Sequence, residues 1–277
     1  MSLVSMSEIL IPAARERRAV GAFNVIQLEH AEGIVAGAER ARRPVVLQIS
    51  ENTVDYHGSL APLGLACLRI AEEADVPVCV HLDHATRREL VEQAVDLGLR
   101  SVMVDASRHP YEENVALTAE LTAWCRSRGA WVEAELGEIG GKDGAHAPGV
   151  RTDPGEAAAF VAATGVDALA VAVGSTHAMR TRDAVLDDAL IAAISAAVPV
   201  PLVLHGSSGV SEAGLKSAVA HGMSKINIAT HLNKALTATI RHVLADDEGL
   251  TDPRRYLGPA RDAVADEVAH LLTLLAP

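Results

Sequence analysis

The chain has 277 residues, of which 49% are hydrophobic and 22% are charged. This composition suits a globular α/β protein and excludes an intrinsically disordered chain, a collagen-like fibre and a small disulfide-rich domain. The formal net charge of −12 argues against nonspecific binding to nucleic acid or to an anionic membrane surface, although a local nest of N–H groups can still bind a small anion.

Eight short apolar runs rich in β-branched residues recur along the chain and start 24 to 37 residues apart. Runs that are apolar on both faces are typical of parallel strands covered on both sides by helices. The sequence therefore predicts eight parallel strands. Their bounds are Ala19–Phe23, Val45–Ser50, Pro77–Asp83, Ser101–Ala106, Trp131–Leu136, Ala168–Val173, Pro201–Gly206 and Lys225–Thr230.

Helical patterns with start and stop signals lie between these runs. Asp153 precedes a Pro-Gly-Glu sequence and predicts a helix start, and Gly165 predicts its end. Ser211 predicts the cap of a second helix that ends before Gly222. Eight strand–helix units without a flexible linker predict one domain over residues 1–277, an α/β (β/α)8 TIM barrel, with a doubly wound open sheet as the alternative.

Ionisable residues occur where several of the predicted strands end. His84 follows the third strand, His177 the sixth and His205 the seventh, and a TIM barrel brings these strand ends to one face. Three imidazoles and an open position are typical of a catalytic zinc site. The other histidines on presumed helices or loops, such as His30, are predicted to face solvent, and His81 is predicted to support the metal ligands.

A second pattern predicts phosphate binding. The segment from His205 to Ser211 (HGSSGVS) and the segment Asn227–Thr230 each lead from a predicted strand into a helix. TIM barrels often bind phosphate with the loops after strands seven and eight, where backbone N–H groups converge. A divalent metal beside a phosphate site suggests phosphosugar chemistry, because a Lewis acid can stabilise an enediolate and so permit carbon–carbon bond cleavage.

Eight segments in this order resemble the class II, metal-dependent ketose-bisphosphate aldolases, and most closely the tagatose-bisphosphate aldolase subgroup. They are GAFNV, HLDHAT, RSVMVDAS, VEAELGEIGG, LAVAVGSTH, LVLHGSSG, KINIAT and TDPRRYL. The resemblance covers nearly the whole chain. It implies a TIM barrel that reversibly cleaves fructose or tagatose 1,6-bisphosphate to dihydroxyacetone phosphate and glyceraldehyde 3-phosphate, in a homodimer or homotetramer.

The resemblance also implies roles for matching positions. Zn2+, or another divalent ion, is expected at His84, His177 and His205, with Asp83 exchanging the proton of the C4 hydroxyl. Asp105 and Glu135 are expected at an alternative metal position. The substrate- and phosphate-binding set comprises Asn24, Ser50, Gly174, Gly206, Ser208, Asn227, Thr230 and Arg254, the last of these for the distal phosphate.

Three departures from the family pattern bear on these expectations. Ala178 replaces a glycine, at a place where the backbone would contact phosphate or a monovalent cation. Asp143 is the sole carboxylate near the position of the residue that removes the C3 proton, and we assign it that role. Ala229 resembles the tagatose enzymes, whereas Gln48-Ile49-Ser50 resembles the fructose enzymes, so both substrates stay open.

Other functions remain as alternatives. These are a class II aldolase for another phosphorylated ketose, a zinc-dependent barrel hydrolase and a non-catalytic phosphate- or sugar-binding barrel. A class I aldolase needs a Schiff-base lysine, and none of the four lysines lies in the predicted sixth strand.

The cysteines and the N-terminal segment predict the cellular compartment. The chain has three cysteines without CxxC spacing, and we expect buried thiols. The segment MSLVSMSEILIPAARERR has no apolar stretch after a basic one, so no secretory signal is expected. The longest apolar run, from Ala157 to Ala163, has seven residues, whereas a membrane helix needs about 20. We therefore expect a cytoplasmic protein with a small phosphosugar substrate and no membrane or nucleic-acid partner.

Overall fold

The computed structural model describes residues 2–136, 151–175 and 184–276. Eight parallel strands, β1 to β8, close into a barrel in sequence order, each pairing with its neighbours and β8 pairing with β1. This confirms the (β/α)8 prediction and makes the open-sheet alternative wrong. The strands are Val20–Asn24, Val45–Ser50, Val78–Ala85, Ser101–Val104, Trp131–Leu136, Ala168–Val171, Leu202–Leu204 and Met223–Ile228.

Helices surround the barrel, and the described residues contain eleven of them, α1 to α11. One precedes β1, two follow β2 and two follow β8. Their bounds are Met6–Arg15, Leu28–Ala41, Glu51–His57, Ala61–Glu73, Arg88–Asp96, Tyr111–Arg126, Pro154–Thr164, Asp188–Ala197, Glu212–His221, Thr230–Asp246 and Arg254–Leu275. None of the helices in these described ranges is both long enough and apolar enough to cross a membrane.

The predicted helix signals act as expected. The Asp153 side chain accepts hydrogen bonds from the next helix's first backbone N–H groups, and Gly165 ends that helix in the left-handed conformation. Ser211 caps α9 by accepting from the N–H of Gly214. These caps satisfy N–H groups that have no partner within a helix, so they fix where each helix meets the barrel.

Helix α1 covers the N-terminal end of the barrel. Its residues Met6 and Leu10 are fully buried, and they pack in one cluster with Val46 and Ala170 from the strands. An apolar plug at this end leaves the opposite end, where the strands finish, as the face for chemistry.

The three cysteines are buried free thiols, as predicted. Burial raises the pKa of Cys67 and of Cys79 to about 12, and of Cys125 to about 11. A thiol with such a pKa stays protonated at neutral pH and is a poor nucleophile. These residues are therefore core residues.

Helix α2 packs closely against α11 through two glycines one turn apart. A Cβ added to Gly37 would lie 2.5 Å from the carbonyl oxygen of Ala265 and 2.7 Å from the Cβ of Val268. A Cβ added to Gly33 would likewise clash with backbone and side-chain atoms of α11. Backbone atoms cannot move aside as a flexible side chain can, so this interface requires glycine.

We predict that Gly37→Ala lowers the free energy of unfolding by about 2 kcal/mol, because overpacking forces the two helices apart. The matched control is Gly64→Ala in α4, where an added Cβ would meet neighbouring side chains only at ordinary contact distances of 3.6 Å or more. It is expected to raise stability by about 0.5–1 kcal/mol, since alanine favours helix over glycine. Urea denaturation measures both, and equal midpoints would contradict the packing argument.

Candidate active site

A cavity of about 480 Å³ opens at the C-terminal end of the barrel. It is bordered by residues from β1, β2, β3, β4, β7 and β8 or from the loops that follow them. Nine of the predicted site residues line it, namely Asn24, Ser50, Asp83, His84, Asp105, Gly206, Ser208, Asn227 and Thr230. The structure therefore brings together most of the residues predicted from the strand ends.

Two of the three predicted zinc histidines meet in the site. The rings of His84 and His205 have centroids 4.7 Å apart and are nearly perpendicular. His84 has a φ of 51°, beside a shift of strand register near the end of β3. A bulge with this backbone re-aims a side chain, at an energetic cost that is typical of functional sites. The third histidine, His177, lies outside the described residues.

Carboxylates on β5 and at the end of β4 hold both imidazoles. The Nδ1 of His84 lies 2.8 Å from Oδ2 of Asp105, and the Nε2 of His205 lies 3.0 Å from Oε1 of Glu133. The Nδ1 of His205 lies 3.2 Å from Oε2 of Glu135. Burial alone would lower the pKa of His205, but the bonds to these two glutamates raise it to about 9.

This donor set fits a divalent metal such as zinc. Atoms of Asp83, His84 and His205 lie within 4.8 Å of one another, as do atoms of His84, Asp105 and Glu135. Imidazole nitrogens and carboxylate oxygens are the ligands that zinc takes in catalytic sites. The two sets share His84, so they offer two adjacent positions that could hold a metal. The role of Asp105 and Glu135 at an alternative position stays a prediction.

Asp83 faces the cavity between two amide side chains. The Nε2 of Gln48 lies 3.3 Å from one carboxylate oxygen, and the Nδ2 of Asn227 lies 3.3 Å from the other. Burial raises the pKa of Asp83, but the surrounding imidazoles and the Lys225 ammonium group together outweigh it, so the pKa lies below its usual value. The carboxylate is therefore ionised and can accept a proton.

A glycine turn and two helix starts form the other side of the cavity. Gly206 is left-handed, with a φ of 66°, and leads into a short 3-10 helix at Ser207–Gly209. The Ser207 hydroxyl donates to the backbone oxygen of Asn227 at 2.5 Å, which ties this turn to the end of β8. Helix α10 begins at Thr230. Exposed backbone N–H groups at such starts bind anions.

The comparisons with known proteins agree with this geometry. The family model described as fructose-bisphosphate aldolase class-II matches residues 4–276. This chain belongs to that family. It is an enzyme, a class II aldolase, and therefore a carbon–carbon lyase.

This chain aligns with similar proteins over nearly the whole length of both chains. The fructose-bisphosphate aldolase of Geobacillus stearothermophilus is 41% identical, covering 95% of this chain and 93% of that protein. The crystal structure of the YdjI aldolase from Escherichia coli K12 is 31% identical, with a TM-score of 0.84, covering 99% of this chain and 97% of that one. A putative fructose-1,6-biphosphate aldolase from Coccidioides immitis is 31% identical, with a TM-score of 0.86, covering 98% of this chain and 95% of that one.

Some of the residues that were predicted to belong to the aldolase site do not border the cavity. The Arg254 side chain is 88% exposed and pairs with Asp252 at 2.8 Å, and it does not border the cavity. A Cβ added to Gly174, whose φ is +122°, would meet the carbonyl oxygen of Val185 at 2.5 Å, so this glycine permits a close backbone contact. Asp143 lies outside the described residues.

Sequence reasoning missed other features of the aldolase site. Arg108, in the loop after β4, borders the cavity. Lys225 is buried beneath the cavity, although it was considered only as a Schiff-base lysine. Lys225 lies two residues before Asn227 on one strand, and side chains two apart face the same side. This spacing could have indicated the position of Lys225. The expectation that His30 faces solvent is wrong, because it is 2% exposed at the start of α2 and close to Asn233.

We predict that His205→Ala lowers the zinc content of the purified aldolase to well below that of the wild type, because a nitrogen ligand is lost and a cavity replaces it. The matched control is His242→Ala, since the His242 side chain is 76% exposed on α10. Elemental analysis after dialysis measures bound metal. An unchanged zinc content in His205→Ala would show that this histidine is not a ligand.

Proposed function

We propose that this class II aldolase binds Zn2+ at His84, His177 and His205 and reversibly cleaves a ketose 1,6-bisphosphate to dihydroxyacetone phosphate and glyceraldehyde 3-phosphate. The observation that carries the proposal is the meeting of His84 and His205, with ring centroids 4.7 Å apart, beside the buried carboxylate of Asp83. The assignment of His177 rests on the GSTH motif. When bound, zinc supplies Lewis-acid stabilisation of the negative charge that develops on the ketone fragment.

Asp83 is proposed to move the proton of the C4 hydroxyl. In cleavage its carboxylate accepts this proton, the C3–C4 bond breaks, and the electron pair stays with the dihydroxyacetone phosphate half. The lowered pKa keeps the carboxylate ionised before the reaction. Its bonds to Gln48 and Asn227 fix its direction, which general acid–base catalysis requires.

The phosphate of the dihydroxyacetone half is proposed to bind at Gly206, Ser208 and Thr230. These residues border the cavity at the turn after β7 and at the start of α10. Glycine permits a close approach to the anion, and hydroxyls add donors. Asn227 would contact the reacting end, and Gly174 belongs to the proposed set through the family motif.

Asn24 and Ser50 are proposed to contact the other end of the sugar. Both border the cavity, Asn24 accepting a hydrogen bond from Gln48 at 2.8 Å and Ser50 capping α3. Arg254 is proposed for the distal phosphate on the strength of its motif. The proposed base for the C3 proton, Asp143, likewise rests on its place in the sequence.

Fructose 1,6-bisphosphate is the substrate that the comparisons favour. Relatives at 41% and 40% identity are named fructose-bisphosphate aldolase and probable fructose-bisphosphate aldolase. Ala229, a residue that resembles the tagatose enzymes, borders the cavity next to Thr230. Tagatose 1,6-bisphosphate, the C4 epimer, therefore remains a competing substrate. An aldolase for another phosphorylated ketose is the second candidate, because Arg254 is exposed and away from the cavity.

The proposal also covers the cellular compartment and the oligomeric state. Three free thiols support a reducing compartment such as the cytoplasm. A homodimer or homotetramer, and a monovalent cation near the phosphate, remain predictions from the resemblance.

We predict that Asp83→Ala lowers kcat at least about 100-fold while zinc is retained, because general acid–base catalysis contributes about this much. The matched control is Asp262→Ala, at a 63% exposed side chain on α11, and its kcat should equal that of the wild type. A coupled assay for glyceraldehyde 3-phosphate, with elemental analysis of each variant, tests this. Unchanged turnover in Asp83→Ala would remove it from the mechanism.

We predict that the wild-type enzyme cleaves fructose 1,6-bisphosphate faster than tagatose 1,6-bisphosphate, and that EDTA abolishes both activities until zinc is restored. The ratio of the two kcat/KM values measures the preference. Activity that survives EDTA but is lost on borohydride reduction with substrate would point instead to Schiff-base chemistry. Cleavage of neither bisphosphate would favour another phosphorylated ketose.

A further inference from the structure

Lys225 is a charged residue that the proposed mechanism does not use. It lies on β8, its side chain is fully buried, and it does not border the cavity. Asn227 lies two residues further along the same strand and does border the cavity. Side chains two apart point to the same face of a strand, so Lys225 lies one layer below Asn227 in the barrel interior.

A buried ammonium group is costly unless it is paired and hydrogen-bonded. The Nζ of Lys225 lies 2.8 Å from Oε2 of Glu133 and 2.8 Å from Oδ1 of Asn227. The Glu133 carboxylate is itself buried, and although burial raises its pKa, the Lys225 charge lowers it well below the usual range. The two charges therefore neutralise each other directly beneath the site.

The contact with Asn227 fixes the direction of its amide group. An ammonium group can only donate hydrogen bonds, so it selects the amide oxygen. The amide nitrogen must then face the other way, and Nδ2 lies 3.3 Å from Oδ1 of Asp83. Without Lys225, the amide could rotate and present its oxygen to the Asp83 carboxylate, which would be repulsive.

The contact with Glu133 fixes the direction of a metal-binding imidazole. One carboxylate oxygen binds Lys225, and the other lies 3.0 Å from the Nε2 of His205. A carboxylate that accepts from one ring nitrogen orients the ring and leaves the second nitrogen to face the metal. That second nitrogen, Nδ1, lies 3.2 Å from Oε2 of Glu135, which is itself a predicted metal ligand. Lys225 therefore contacts Glu133 directly, and Glu133 is the residue that holds His205 in place.

We propose that Lys225 is a positioning residue that acts on both halves of the site, orienting the Asn227 amide toward Asp83 and holding Glu133 against His205. This inference rests on the proposed function, since it assigns His205 to the metal and Asp83 to proton transfer. It makes Lys225 a determinant of zinc affinity and of turnover, although it touches neither the metal nor the substrate.

The test is a cycle of three variants, Lys225→Met, Glu133→Gln and the double variant. Methionine keeps an unbranched chain of similar length without the charge. The double variant removes both buried charges and so keeps a measurable protein if Lys225→Met alone does not fold. Lys216→Met, at an exposed lysine on α9, is the control. Zinc dissociation constants come from competition with a chromophoric chelator, on protein shown to be folded by circular dichroism.

We expect Lys225→Met and Glu133→Gln each to weaken zinc binding about 10- to 100-fold, as loss of groups that orient metal ligands typically does. In the double variant the weakening should be no greater than in Glu133→Gln, since Lys225 acts on the metal through Glu133. The kcat of the double variant should fall below that of Glu133→Gln, with KM within about threefold, because the Asn227 contact is lost separately.

Folded variants without Lys225 that keep wild-type zinc affinity and kcat, and only melt at a lower temperature, would overturn the proposal. Additive losses of zinc affinity in the double variant would overturn the part that acts through Glu133. A wild-type enzyme that cleaves neither bisphosphate refutes the proposed substrate instead, and the zinc affinities still decide the role of Lys225.

Discussion

The closed parallel barrel forces the carboxyl ends of eight strands to one face, and the rest of the site depends on this constraint. Glu133 shows the consequence most clearly. Its carboxylate is buried, and it is stable there because β7 brings His205 to one oxygen and β8 brings Lys225 to the other. Each charge would be costly alone. Together they form a layer of paired charges beneath a cavity that is lined mostly by polar side chains.

The paired charges connect the fold to the chemistry. Positive charge near Asp83 lowers the pKa of this carboxyl despite burial. His205 in turn has a raised pKa, since Glu133 and Glu135 stabilise the protonated ring. A divalent cation would replace that proton with a stronger positive charge. The arrangement therefore suits a metal, with the donor ring already oriented by its carboxylate.

Local patterns made the barrel predictable and placed several of the residues that line the cavity. Strand length, spacing and caps such as Asp153 depend on neighbouring residues, so the sequence reveals them directly. Residues at strand ends, such as His84 and His205, could be placed because all parallel strands end on one side. Contacts between distant strands could not. Glu133 and Lys225 are 92 positions apart, and no local pattern shows that these two side chains touch. The exposure of Arg254 likewise depends on the packing of α11.

Helix α1 has a consequence for water in the barrel. Met6 and Leu10 cover the end opposite the cavity with apolar side chains, and buried side chains fill the barrel interior between this end and the cavity. The buried layer around Glu133 is therefore separated from water on this side by apolar packing. Truncating α1 would open a second entrance, and hydration from below would weaken the ion pairs by screening them. A helix far from the substrate thus sets the dielectric environment in which the chemistry takes place.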